Sequence, residues 1–94
     1  MKPRTIQYEG EFGNFSPNGR EGGEPIVMAE DEAEAIRLVD YLGFNQEEAA
    51  ASMGISRGTV WRCVDGGRRK LAAMVVEGRP LVIGKAAALS EGDD

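Results

Sequence analysis

Side-chain chemistry in these 94 residues is limited by what they lack: there is no histidine, and Cys63 is the only cysteine. Histidine-based triads, a Cys/His dyad and the commonest zinc ligand are therefore excluded, as is an internal disulfide. Carboxylates, lysines, tyrosines and hydroxyls are left as acid–base groups. Glu30, Asp31, Glu32 and Glu34 crowd together, but neither a metal nor a cationic partner is expected for them, and carboxylates are favoured at the positive end of a helix without any catalytic role. An enzyme is not expected, nor is a cofactor or a metal site. The other chemically capable set is cationic: Arg57, Arg62, Arg68, Arg69 and Lys70, interleaved with the single tryptophan, Trp61. Guanidinium forks match the acceptor pairs of guanine edges and the oxygens of phosphate.

The formal net charge of −5 opposes that chemistry at first sight, because an acidic protein is repelled by phosphate at long range. The charges are unevenly placed. Residues 1–54 carry eleven acids against Lys2, Arg4, Arg20 and Arg37, a balance of −7, whereas residues 55–85 carry seven bases against Asp65 and Glu77, a balance of +5. Exposed charges are screened beyond about 8 Å at physiological ionic strength, so a basic segment can meet a polyanion while the acidic half faces away. Modest, strongly salt-dependent affinity is expected. The chain offers no apolar run long enough to span a membrane and no charged-then-apolar leader, so a cytoplasmic protein without a membrane partner is expected.

One domain is the most that 94 residues support. It is placed at residues 25–84, after an extended arm or weak hairpin over residues 1–24 that turns at Pro17, Asn18 and Gly19, and before a disordered tail over residues 85–94. The expected fold class is mainly α, a three-helix core with a helix-turn-helix and a long C-terminal recognition helix, plus short strands near residues 25–28 and 80–83. Those strands are the near twins PIVM and PLVI, and pairing within one chain or between two is equally open to them.

Ala35, Ile36, Val39 and Leu42 recur at helical spacing, which predicts a first helix over residues 30–42, stopped by Gly43. Asn45 with Glu48 is a capping box for a second helix over residues 46–53, and Phe44 can staple onto Ala49. Gly54 breaks that helix, Ser56 caps the next, and Ile55 can staple onto Val60. The third helix has an apolar stripe of Val60, Val64, Gly67, Leu71 and Met74 and ends near Gly78. Gly66 and Gly67 cost it about 1 kcal/mol each relative to alanine, which implies a kink there or, at Gly67 on the stripe, close backbone packing.

Two helices joined through a tight glycine turn form the unit that offers its second helix to the DNA major groove. The spacing fits: Ala50 is small where the helices touch, Gly54 four residues on can take the left-handed turn, and Val60 six further fills the angle between them. Ala49, Met53, Ile55 and Cys63 supply the remaining buried positions. An αα-hairpin packed in a core is the alternative, and it does not require this complete set.

Residues 45–76, NQEEAAASMGISRGTVWRCVDGGRRKLAAMVV, resemble without a gap the fourth region of sigma-70-type factors, sharing the SR..V and RRKL skeleton. DEAEAIRLVD, NQEEAAASMGISRGT and RRKLAAMVVEGRPLVI are similar to the small predicted DNA-binding proteins called uncharacterised protein family 0251, or domain of unknown function 134, and the likeness covers about residues 15–83. The resemblance implies a helix-turn-helix and transcriptional regulation, with no established target. Many members carry cysteines in the arm, suggestive of a metal or redox role; this arm has none, and no such site is carried over. Ala29 stands where a threonine cap is usual, and Gly66 and Gly67 replace better helix formers.

On the third helix Arg57, Gly58, Trp61, Arg62 and Asp65 project away from the buried stripe. Arg62 is assigned to a base, Arg57 to a base or a phosphate, and Gly58 to close approach of the helix. Trp61 has two equal readings, contact with a thymine methyl or packing against the arm or first helix. Gln46, Ser56, Thr59, Arg68, Arg69 and Lys70 are the expected phosphate contacts, with helix capping the main task of Ser56 and a solvated helix end the alternative for the basic cluster. Lys2 and Arg4 can form a minor-groove arm or an unstructured terminus. Double-stranded DNA is the expected partner, read by a homodimer because a single module buries little surface. The competing function is a protein-interaction module docking on RNA polymerase or another regulator; an RNA binder is disfavoured by the lack of an aromatic stacking platform.

Overall fold

A computed structural model describes residue 6, residues 13–17 and residues 23–84. In chain order these form β1 (Asn14–Phe15), β2 (Ile26–Met28), α1 (Glu30–Ile36) running directly into a π-helical stretch (Arg37–Tyr41), α2 (Gln46–Met53), α3 (Arg57–Glu77) and β3 (Leu81–Ile83). The expected class, mainly helical with a minor sheet, is the class observed. No helix among the described residues is long and apolar enough to cross a membrane.

The two apolar twins pair with each other inside one chain. β3 is the central strand, parallel to β2 with Ile26 opposite Leu81 and Met28 opposite Ile83, and antiparallel to β1 with Phe15 opposite Leu81. A parallel pair needs a long crossover, and here the three helices are that crossover. Ile26 N–H donates to the Pro80 carbonyl at 2.8 Å and Gly84 N–H to the Met28 carbonyl at 3.0 Å, fastening both ends of the pair. Ile26, Met28 and Leu81 are buried while Val27 points outward, the alternation of a sheet with one face on a core. β1 therefore adds an edge to this sheet; Asn18 and Gly19 of the expected turn, Lys2, Arg4 and the tail at 85–94 lie outside the described residues.

The first helix departs from its predicted stripe. Its cap, Ala29, has no side-chain acceptor, and Glu32 makes only the reciprocal half of a box by accepting Ala29 N–H at 3.0 Å. Leu42 N–H then reaches the Arg37 carbonyl at 2.9 Å, a five-residue step that turns the end of the helix away from 3.6-residue periodicity. Leu42, expected inside, is 46% exposed, and Leu38, absent from the predicted stripe, is buried. Ile36 and Val39 are half-buried against the core.

The second and third helices begin as predicted. Asn45 Oδ1 accepts Glu48 N–H at 2.8 Å while Glu48 Oε1 accepts Asn45 N–H at 2.9 Å. Gly54 adopts φ 68 and ψ 36, the left-handed conformation that ends α2, and Ile55 N–H closes the turn on the Ala50 carbonyl. Ser56 Oγ accepts Thr59 N–H at 3.1 Å to open α3, an unbroken helix of 21 residues ending at Gly78. Gly66 and Gly67 lie inside this uninterrupted helix and mark close packing: a Cβ on Gly67 would stand 2.8 Å from Ile36 Cγ1, and one on Gly66 would stand 2.5 Å from Glu32 Oε2. The core has two lobes, one of Ala35, Leu38, Ala49, Ala50, Met53, Val60, Cys63 and Val64 among the helices, and one of Ile26, Met28, Ala33 and Leu81 beneath the sheet.

Candidate nucleic-acid interface

The α2–turn–α3 unit is held from inside by small and branched side chains. Ala49, Met53, Val60 and Val64 are fully buried, and Ala50 and Cys63 nearly so. At 3.6 residues per turn, burying these positions leaves Arg57, Gly58, Trp61, Arg62, Asp65 and Arg69 on the opposite arc of α3, and all are exposed. An open depression of about 690 Å³ follows the turn, lined by Ala50, Ala51, Gly54, Ile55, Ser56, Thr59 and Arg62.

A chain of side-chain hydrogen bonds organises the start of α3. The Ser56 and Thr59 hydroxyls lie 3.0 Å apart, and Arg62 Nη2 donates to Thr59 Oγ1 at 3.2 Å. Thr59 is almost buried, with its hydroxyl engaged on both sides. Arg62 is thus laid back along the helix toward its N-terminus. Gln46 and Glu47 are exposed at the first turn of α2.

The basic cluster is split. Arg69 is exposed and makes a loose pair with Asp65 at 3.5 Å. Lys70 lies on the inner flank, where its ammonium meets Glu32 Oε1 at 2.7 Å, so the structure does not bring it to the surface shared by Arg57 and Arg62. Arg68 donates through Nη2 and Nε to the two oxygens of Asp40, at 2.7 and 3.1 Å, and its guanidinium carbon stands 5.5 Å from the centre of the Trp61 ring. Those hydrogen bonds hold the Asp40 carboxyl below the usual aspartate range. Trp61 lies outside the buried core, 46% exposed, with the Arg68 guanidinium over its ring. Sequence reasoning did not find Asp40, because its partner is 28 residues away and the π-helical stretch that carries it leaves no mark in the apolar spacing.

The Glu30 to Glu34 carboxylates are distributed rather than convergent. Glu34 is fully buried beneath a two-point pair with Arg37 at 3.0 Å, and Glu32 serves the α1 cap and Lys70. Among the described residues no group of three or more potential ligands is placed to hold a metal ion.

A small sheet closed by a three-helix crossover thus carries an arginine- and tryptophan-bearing face on its last helix. The chain belongs to the family described as protein of unknown function DUF134, whose model matches residues 1–90. It is 49% identical over 85 residues to the UPF0251 protein PH0803 of Pyrococcus horikoshii, covering 87% of this chain and 77% of that one. It is 58% identical over 59 residues to the UPF0251 protein PF0620 of Pyrococcus furiosus, covering 63% and 55% of the two chains. For the UPF0251 protein TK0562 of Thermococcus kodakarensis the identity is 59% over 59 residues, covering 63% and 52%. The matches to these last two thus span about half of each relative's length. No solved structure matches the chain.

Proposed function

We propose that α2 and α3 act as a helix-turn-helix that binds double-stranded DNA, with the N-terminal half of α3 in the major groove, and that the protein is a cytoplasmic transcriptional regulator. The observation that carries this reading is the exposed arc of Arg57, Gly58, Trp61 and Arg62 opposite a sealed helix–helix core. A helix with its side chains is about 10–12 Å across, the width of the groove. In this pose Arg62, oriented by Thr59, reads a guanine edge; Arg57 and Arg69 meet phosphates, and the free amides and Gln46 at the start of α2 meet the facing strand. Ser56 and Thr59 act mainly by shaping the start of α3. Lys70 lies outside the contact surface. A homodimer completes the reading, since one module buries too little surface for high specificity; Val75 and Val76, 76% and 82% exposed near the end of α3, are apolar positions available to it.

Titration of the fluorescence of the sole tryptophan with random duplex at several salt concentrations tests the proposal. Log K should fall with log salt at a slope equivalent to roughly four to six phosphates. Replacing Arg62 by Ala should reduce discrimination at one base position by about 1–3 kcal/mol. An absence of duplex binding at low salt would reject this reading in favour of a protein-docking module, for example on RNA polymerase.

A further inference from the structure

The helix that begins at Glu30 changes register before it ends, and the residue carried by that change is Asp40. A π-type turn inserts one extra residue per turn and redirects the side chains that follow. Here it accompanies the placement of the Asp40 carboxylate against α3, where Arg68 grips it with two donors. The same guanidinium lies over the indole of Trp61, two helical turns back along α3. Acid, guanidinium and ring form one stack from the end of the first helix to the exposed face of the third.

We infer that Asp40 and Arg68 are positioning residues for Trp61: they hold the indole in one orientation on the surface proposed to meet DNA, and Arg68 is not itself a phosphate contact. A half-exposed indole with no partner is free to change rotamer, whereas a cation fixed over its face selects one. Asp40 occupies the Nε–Nη2 edge of the Arg68 guanidinium, so a phosphate could meet only its outer Nη1 side, and Asp65 adds a second carboxylate on the same exposed arc. A phosphate arriving there meets a guanidinium already neutralised and a negative neighbour. The role of the indole in recognition rests on the DNA reading above; the anchoring is a property of the free protein.

Because Trp61 is the only tryptophan, its emission reports this stack alone. Wild type, Asp40→Asn, Arg68→Ala and the conservative Asp40→Glu are compared first without DNA. Acrylamide quenching should rise and nanosecond anisotropy should fall in Asp40→Asn and Arg68→Ala, with Asp40→Glu closer to wild type, at unchanged far-ultraviolet circular dichroism. With DNA, Asp40→Asn and Arg68→Ala should lower discrimination between a preferred and a scrambled duplex by about two- to fivefold, the size of an exposed cation–π contact. Both should leave the salt slope of wild type in place. A slope reduced by about 0.9 in Arg68→Ala, with discrimination intact, makes Arg68 a phosphate ligand and overturns the inference. Tighter binding of Asp40→Asn to every sequence, with a steeper slope, overturns it too. If wild type binds no duplex, the DNA reading fails by itself; unchanged quenching in both variants separately overturns the anchoring.

Discussion

Replacing Gly67 by Ala tests whether the position of α3 is set by its contact with the first helix. Helix propensity alone favours the change by about 1 kcal/mol. The packing opposes it: the new Cβ would lie 2.8 Å from Ile36 Cγ1, 3.2 Å from Cδ1 and 3.4 Å from the Glu32 carbonyl oxygen. Carbon atoms settle about 3.5–4.0 Å apart, so Ile36 must retreat by roughly 1 Å. Its Cγ1 is bonded directly to Cβ, and a β-branched side chain in a helix has one strongly preferred χ1, so the retreat needs a poor rotamer or a shift of the backbone. Overpacking of this kind costs about 2–3 kcal/mol, which leaves a net destabilisation of about 1–2 kcal/mol after the propensity gain. Urea denaturation reads it as a midpoint lowered by about 0.5–1.5 M at constant m-value. Ile36→Ala removes both crowding carbons, so the double variant should be more stable than the sum of the single changes predicts. Gly67→Ala raising the midpoint by the propensity increment would refute the reasoning, and so would simple additivity with Ile36→Ala. Gly66→Ala should cost less, because the atom it meets is the far end of the flexible Glu32 side chain.

Asn45→Ala removes the acceptor for Glu48 N–H and should destabilise by about 1 kcal/mol in the same urea assay; a neutral result would mean that water replaces the cap without loss. In duplex titrations Arg57→Ala should reduce the salt slope by about 0.9, whereas Lys70→Ala, paired inward with Glu32, should leave it unchanged; equal slopes for the two variants would contradict the split of the basic cluster. For pH, hydrogen bonds from Arg68 place the folded-state pKa of Asp40 below its unfolded value. The stabilisation is therefore complete above the unfolded value and is lost as pH falls through the folded one. The stability difference between wild type and Asp40→Asn should persist from neutral pH into the ordinary aspartate range and close only at more acid pH, and a difference already gone near about pH 6 would assign it to another group.

The parts of the fold legible in the sequence are those fixed by local chemistry. Asn45 with Glu48, Gly54 and Ser56 each act within four residues, and the structure realises all of them. The apolar stripe of α3 was equally readable, since a core on one side of a long helix imposes one period. The first helix misled because its period changes partway: Leu38 replaces Leu42 as the buried residue, and no residue type announces a π-type turn. Arg68 and Lys70 looked like members of one basic run, yet lie two positions apart on a helix, about 200° around its axis. Their carboxylate partners lie on the first helix, 28 and 38 residues away, and only the tertiary fold brings them into range. The candidate surface was therefore readable at Arg57, Gly58, Trp61 and Arg62, where exposure follows from α3 alone, and unreadable at Asp40.

The sheet explains why the outward face of α3 can remain unpacked within the monomer. β2 leads directly into α1 and β3 follows α3, so their parallel pairing ties the two ends of the helical segment together. Leu71 and Met74, in the second half of α3, pack beneath that sheet, while Val60 and Val64 in the first half pack against the other helices. Each half is thus secured on its inner side by a different lobe of the core. The Gly66 and Gly67 contact with the first helix lies between them and fixes the helix along its length. A rod held at three places along one side needs nothing from its outer arc to stay folded. Charged and aromatic residues can stand there without loss of stability, which is the condition a recognition surface must meet before any contact with a partner is made.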